Sequence, residues 1–267
     1  MTPVTVSAGD GPVILGFPHG GTHVPEAIRT RLNDNGLILA DTDWHIARLY
    51  DGLLASATRV EATFHRYVID ANRDPSGHSL YPGQNTTTLC PLTDFDGVSI
   101  WKEGQEPTAA DIEGRRAQFH APYHAALAAE VARVKAKHGI AIVYDCHSIR
   151  SRITFLFEGV LPDLNIGTDN GKTCDAEIER VAAGIAAASP HTSVLNGRFR
   201  GGWTTRHYGQ PPTGVHAIQM EIAQSAYLTT EAAPFAYDTA KAERTRLTLK
   251  RILEEIEAVA RSLSRHG

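Results

Sequence analysis

Continuous apolar runs alternate with amphipathic ones along this chain, and turn-forming residues separate them. Pro12 to Phe17 (PVILGF) is apolar throughout and predicts a buried strand that ends at Pro18-His19-Gly20-Gly21. Thr58–Phe64 and Arg66–Asp70 predict two further strands, Ile140–Asp145 (IAIVYD) another buried one, and Val215–Ile222 (VHAIQMEI) a fifth. Helices are predicted between them. Asp41 to about Leu54 carries acidic residues in its first turn, Thr108 N-caps a long helix that Gly139 stops, and Asp175–Ala188 is closed by Pro190. In the tail, Leu249, Ile252, Ile256, Val259 and Leu263 share one helical face. Strands alternating with helices indicate an α/β domain with a mixed, largely parallel sheet flanked by helices. No linker, repeat or low-complexity segment divides residues 1–267, so a single domain is expected.

After Asp70 the periodic pattern breaks. Pro75, Gly77, Pro82, Gly83, Pro91, Gly97, Gly104 and Pro107 spread turns over this stretch. A loop of that length inside a compact domain points to function or disorder.

Composition narrows the classes. With 42% hydrophobic residues the chain can bury a large core. A net charge of −4 argues against a basic nucleic-acid-binding face. No apolar run approaches the roughly 18 residues of a membrane-spanning helix, and the first residues lack a signal-peptide pattern. Cys90, Cys146 and Cys174 are far apart and odd in number, so neither a disulfide framework nor a Cys-x-x-Cys zinc site is expected, and the reading is a reducing cytoplasm. Thirteen histidines against two methionines turn attention to ligands and proton carriers.

Several familiar chemistries are absent. There is no Gly-x-Ser-x-Gly elbow and no Gly-x-Gly-x-x-Gly after a strand. Gly171-Lys172-Thr173 resembles the end of a phosphate loop, but Ile166 stands where the first glycine belongs. The informative pattern is positional, because sites in open α/β sheets form beyond the carboxyl ends of strands. His19 follows PVILGF, His147 follows IAIVYD, and Glu221 lies near the end of VHAIQMEI; Asp41, Asp43 and His45 start a predicted helix. Two histidines and a carboxylate are a standard ligand set for a catalytic zinc with one open position, and a separate carboxylate can act as general base. By position, His19, Asp43 and His147 are the candidate ligands and Glu221 the base. A buried, unpaired Glu221 would be costly, so it needs a partner or a task. Arginines make a second set. Asn72-Arg73 follows a predicted strand, and Asn196 to Tyr208 (NGRFRGGWTTRHY) is rich in Gly, Arg and Thr. The guanidinium fork suits a small acidic substrate, and the Arg73 and Arg206 segments lie in the most polar, turn-rich surroundings.

FPHGGTHVP, DTDWHIARLYD, RYVIDANRDPSG, YDCHSIRS, LPDLNIGTDNG, NGRFRGGWTTRHYG and QMEIAQSAY, in order from Phe17 to Tyr227, resemble the N-formylglutamate amidohydrolase (N-formylglutamate deformylase) family. The resemblance implies a zinc-carboxypeptidase-like (phosphorylase/hydrolase-like) fold. It also implies hydrolysis of N-formyl-L-glutamate to formate and L-glutamate, a late step of one histidine-degradation route. The implied cofactor is a divalent metal, zinc first. The implied partner is a small acidic N-formyl amino acid, with no nucleic acid and no membrane. Carried over by residue, His19, Asp43 and His147 take the metal, Glu221 is the catalytic carboxylate, and Asn72 and Arg73 hold one substrate carboxylate; Arg66, by analogy, adds charge near the formyl oxygen. The polar segment that holds Arg206 and Tyr208 is expected to read the other carboxylate. One departure stands: the His-x-x-Glu of the carboxypeptidases is matched by His23-Val24-Pro25-Glu26, whereas His19 has Thr22 at the third position. His23 and Glu26 therefore remain rival ligands. Deacylation of an acetyl or succinyl amino acid, or carboxylate binding without catalysis, are the alternative functions.

Overall fold

The computed structural model describes residues 2–78 and 85–265; Pro82 and Gly83 of the turn-rich stretch lie outside them. Among the described residues one sheet contains β1 (Val4–Ser7), β2 (Val13–Phe17), β3 (Thr58–Ala62), β4 (Ala141–Ile149), β5 (Leu164–Gly167), β6 (Ser193–Leu195) and β7 (Val215–Ala223). Their spatial order is β1-β3-β2-β4-β7-β5-β6. The central pairs β3/β2, β2/β4 and β4/β7 are parallel, as is β5/β6, while β1/β3 and β5/β7 are antiparallel. The mixed, largely parallel α/β sheet expected from the pattern is present.

The helices are α1 (Glu26–Arg29), α2 (Asp34–Leu37), α3 (Ile46–Leu49), α4 (Ala109–Arg115), α5 (Ala121–His138), α6 (Ala176–Ala187), α7 (Trp203–Tyr208) and α8 (Thr239–Leu263). A π turn, Arg116–His120, joins α4 to α5. Thr108 and Asp111 form a reciprocal capping box at the start of α4, and Gly139 ends α5 at φ 74°. Two apolar cores lie on the two faces of the sheet. Val13, Leu15 and Phe17 of β2 pack with α3, α6 and α8; Ile14, on the opposite face, packs with α5. No helix among the described residues is long and apolar enough to cross a membrane.

Three sequence expectations change. The strand predicted over Ile140–Asp145 continues to Ile149, because β7 pairs with it residue by residue from Ala141↔Val215 to Ile149↔Ala223. The ladder carries the polar residues Asp145, His147 and Ser148 inside a buried strand, which periodicity alone would place in a loop. Arg66–Asp70 is not a strand. Tyr67, Val68 and Ile69 are all buried in succession, and the segment turns instead of alternating. Asp41 to Leu54 is helical only at α3. Positive φ at Leu39 and His45 bends the chain there, and Asp43 N donates to His19 O at 3.1 Å, tying the bend to the end of β2.

Candidate active site

Parity along β4 and β7 decides what faces the site. Val143, Asp145 and His147 share a face of β4, and Ala217, Gln219 and Glu221 the matching face of β7; His147 is the register partner of Glu221, and Asp145 of Gln219. His19 enters from the end of β2, next to β4. The side chains of His19, Asp43 and His147 are buried, and one ligand atom from each lies within 4.8 Å of the others.

Each imidazole is anchored on one nitrogen. His19 Nε2 is 2.7 Å from Asp70 Oδ1, and His147 Nε2 is 3.1 Å from Asp145 Oδ2. The opposite nitrogens turn toward Asp43 Oδ2, His147 Nδ1 at 3.4 Å and His19 Nδ1 at 4.0 Å. His19 Nδ1 and Asp43 Oδ1 are buried with no hydrogen-bond partner, and Asp43 Oδ2 accepts from Ser148 N at 3.0 Å. Orphaned buried donors and acceptors are costly. Two imidazole nitrogens and a carboxylate converging on one point, each imidazole backed by a carboxylate, fit a divalent cation. Burial and the Arg66 guanidinium hold His19 below its usual range, in the neutral form a cation needs. Burial works against a charged His147, but Asp145 and Asp43 outweigh it and raise that imidazole well above its usual value. A cation at the site would therefore compete with a proton on His147.

Glu221 lines the same cavity, which opens to solvent. Burial, with the Asp43 charge added, pushes its carboxyl up to about 8, and Gln219 Nε2 donates to its Oε2 at 3.1 Å. Arg66 is buried; it donates to Asp70 Oδ2 at 2.6 Å, lies 3.9 Å from Asp43 Oδ1, and stacks on Phe95. Phe95 is in turn held by Asp41, whose Oδ2 accepts from Phe95 N and Tyr67 Oη, both at 2.9 Å. Burial raises the Asp41 carboxyl to about 7. Asp41 is thus a buttress and not a fourth ligand.

Arg73 lines the cavity. It bonds Thr87 O, Thr87 Oγ1 and Asn72 O, which leaves part of the five-donor fork of a guanidinium for a ligand. It faces Asp70 at 3.7 Å, not its neighbour Asp74. Asn72 also lines the cavity: Oδ1 accepts from Thr204 N at 2.8 Å, and Nδ2 lies 3.0 Å from His147 Nε2, the nitrogen already turned to Asp145. A Cβ at Gly202 would overlap that amide, so the glycine is a packing requirement.

Several expected residues lie elsewhere. Arg206, on α7, turns back to Gly201 O at 2.9 Å and to Asp169 at 3.4 Å, and is not among the described cavity-lining residues. From the same Gly- and Arg-rich segment, Arg198, Phe199 and Gly202 line the cavity instead. Tyr208 is buried behind the site, its hydroxyl 3.1 Å from His124 Nδ1. The rival ligands are also displaced. Glu26 is 76% exposed and pairs with Arg29, while His23 bridges to Phe64. His45 bonds Phe235 O. Sequence reasoning passed over Asp70, Asp145 and Arg198. The signal for the two aspartates was present, since each is an acid at the end of an apolar run and must find a partner once buried.

A buried two-histidine, one-carboxylate set with a basic glutamate in register beside it, at the carboxyl edge of a mixed sheet, has the make-up of a metal-assisted hydrolase centre. Comparison with known proteins gives the family. The N-formylglutamate amidohydrolase family profile matches residues 11–228. N-formylglutamate deformylase of Pseudomonas aeruginosa is 44% identical over 252 residues, 94% of either chain. The enzyme of that name from Pseudomonas putida is 42% identical over 92% of either chain. The chain belongs to the N-formylglutamate amidohydrolase family. Its fold is shared with N-formylglutamate amidohydrolase from Ralstonia eutropha JMP134 (TM-score 0.78, 22% identity, 96% of this chain and 97% of that one). A gene product of Agrobacterium tumefaciens also shares it (TM-score 0.74, 21% identity, 97% and 96%).

Proposed function

We propose that this chain hydrolyses N-formyl-L-glutamate to formate and L-glutamate, serving histidine degradation in the cytoplasm, with a divalent cation, zinc first, held by His19, Asp43 and His147. The observation that carries the reading is the convergence of those three side chains within 4.8 Å, with Glu221 as the register partner of His147. The bound cation supplies Lewis acidity for the formyl carbonyl and for water.

Glu221 moves the proton. Gln219 occupies Oε2, so Oε1 takes the proton from water and returns it to the leaving nitrogen. Burial and the Asp43 charge raise this carboxyl above an ordinary glutamate, which makes its ionised form a stronger base. Arg66, fixed between Asp70 and Phe95, adds positive charge beside the reacting carbonyl. Arg73, with Asn72 beside it, receives one substrate carboxylate and Arg198 the other. The cytoplasmic part of the reading rests on three free, buried cysteines. The test is formate release from N-formyl-L-glutamate, with and without a chelator and with acetyl and succinyl glutamate as competitors. No release with any divalent ion, or faster turnover of another acyl group, sinks the proposal.

A further inference from the structure

Residues 68–73 run irregularly between β3 and the cavity, so their carbonyls have no sheet partner. One helical stretch supplies donors for three of them. Arg115 Nη1 donates to Val68 O at 3.1 Å, His124 Nε2 to Ala71 O at 2.7 Å, and His120 Nε2 to Arg73 O at 3.0 Å. The two histidines therefore grip the carbonyls on either side of Asn72. They are four residues apart and share a helix face. Arg115 and His120 are five apart, which puts side chains on different faces of a regular 3.6-residue helix. The π turn Arg116–His120, with its i→i+5 bonding, brings all three to one strip of backbone.

The His124 tautomer is also set. A carbonyl only accepts, so Nε2 carries the ring proton; burial keeps the ring neutral, with a pKa lowered to about 3. Nδ1 is then bare and lies 3.1 Å from Tyr208 Oη, a hydroxyl that also reaches the His124 carbonyl at 3.2 Å. Trp203 packs on both rings, its centroid 4.7 Å from His124 and 5.6 Å from His120. Neither histidine is among the described cavity-lining residues, so neither is placed to touch substrate.

We infer that His120 and His124 are positioning residues: they clamp the backbone around Asn72 and thereby set the direction in which Arg73 enters the cavity, with the Ala71 carbonyl fixing the tautomer of His124 and Tyr208 packed behind it. The inference rests on the deformylase reading only for the identity of the ligand that Arg73 receives.

The test uses the full-length, metal-loaded protein. His120→Phe and His124→Phe keep a ring and remove the donor; His120→Gln and His124→Gln keep an amide donor of similar reach. For N-formyl-L-glutamate, the Phe variants are expected to raise KM about tenfold or more while kcat changes less than about threefold, because a misplaced recognition group costs binding geometry. The Gln variants are expected to bring KM back to within about threefold of wild type. Tyr208→Phe should raise KM less than His124→Phe, and metal content should stay unchanged in all five. Glutarate, a dicarboxylate without the amide, is titrated calorimetrically on the same set and should weaken in parallel with KM. Unchanged KM and glutarate affinity in both Phe variants overturns the clamp, as does an equal loss in Phe and Gln variants. Wild-type protein that binds glutarate but releases no formate removes the deformylase reading and leaves glutarate to judge the clamp. Wild-type protein that does neither overturns both.

Discussion

His147 and Glu221 stand on strands whose neighbours fix them residue by residue, whereas Arg73 and Arg198 stand on segments with no ladder at all. On the strand side, β4 and β7 are buried along their whole lengths, and a register slip would turn every inward group to the opposite face. Position there is enforced by many cooperative backbone bonds. On the loop side, position comes from a few side-chain bonds: His124 and His120 to the carbonyls of residues 71 and 73, Arg73 to Thr87, and Arg198 to Leu156 O at 3.1 Å. His147 and Glu221 thus sit on the stiff half of the cavity, while Asp43 and Arg66, like the groups that choose a substrate, stand on irregular backbone. Mutations should divide the same way, kcat and metal content following the strands and KM following the loops.

The largest expected effect is on the strand side. His147→Ala should lose the metal and lower formate release by orders of magnitude; metal retained at full stoichiometry would break the assignment. Asp145→Ala, which removes only the carboxylate behind that imidazole, should weaken metal affinity by about 10- to 100-fold. Metal uptake by the apoprotein should release protons, as a carboxylate-supported imidazole gives up its charge.

Next comes Glu221→Gln. A general base contributes about 10²–10⁴-fold, so kcat should fall by that factor with metal and KM retained. Loss of metal in the same sample would make Glu221 a ligand.

On the loop side, Arg73→Ala should lower kcat/KM for N-formyl-L-glutamate by about 30-fold to several thousand-fold, mostly through KM, and lysine should restore little. Arg198→Ala should cost about 10- to 100-fold on N-formyl-L-glutamate and much less on N-formyl-L-glutamine. Arg206→Ala, bonded to Asp169 and Gly201, should affect both substrates alike. A side-chain-selective loss at Arg206 would reverse the two assignments.

The smallest effect is on stability. Burial lowers His124 to about 3 from an ordinary 6.5. The unfolded chain therefore takes up a proton first as pH falls. The stability due to the neutral ring is complete above about pH 6.5 and is lost progressively toward pH 3. His124 is half-buried as a residue, so about 1–2 kcal/mol is expected between pH 7 and pH 5. His124→Gln should flatten that limb of the melting-temperature profile, and an unchanged slope would mean that His124 is not neutral in the fold.

The apolar pattern along the chain was enough to place β2, the first half of β4, β7, α5, α6 and α8, because each buries a run or a stripe whose periodicity is local. It also made candidates of His19, His147 and Glu221, polar groups at the ends of predicted strands, and of Asp43 at a predicted helix start; the structure brings His19, Asp43 and His147 within 4.8 Å. The far half of β4 was not legible. Its polar residues join the sheet only because β7 offers them backbone partners more than 70 positions away. Nor was the irregular course of residues 65–73, where an apolar run imitates a strand and side chains of a distant helix supply the missing bonds. The placement of Arg198 has the same origin. It shares one polar segment with Arg206, and the fold of α7 turns Arg206 to Gly201 and Asp169 while Arg198 lines the cavity. Local sequence determines which residues must be buried and which must be paired; pairing across long stretches of chain is a tertiary event, and it decided what each carboxylate and each arginine faces.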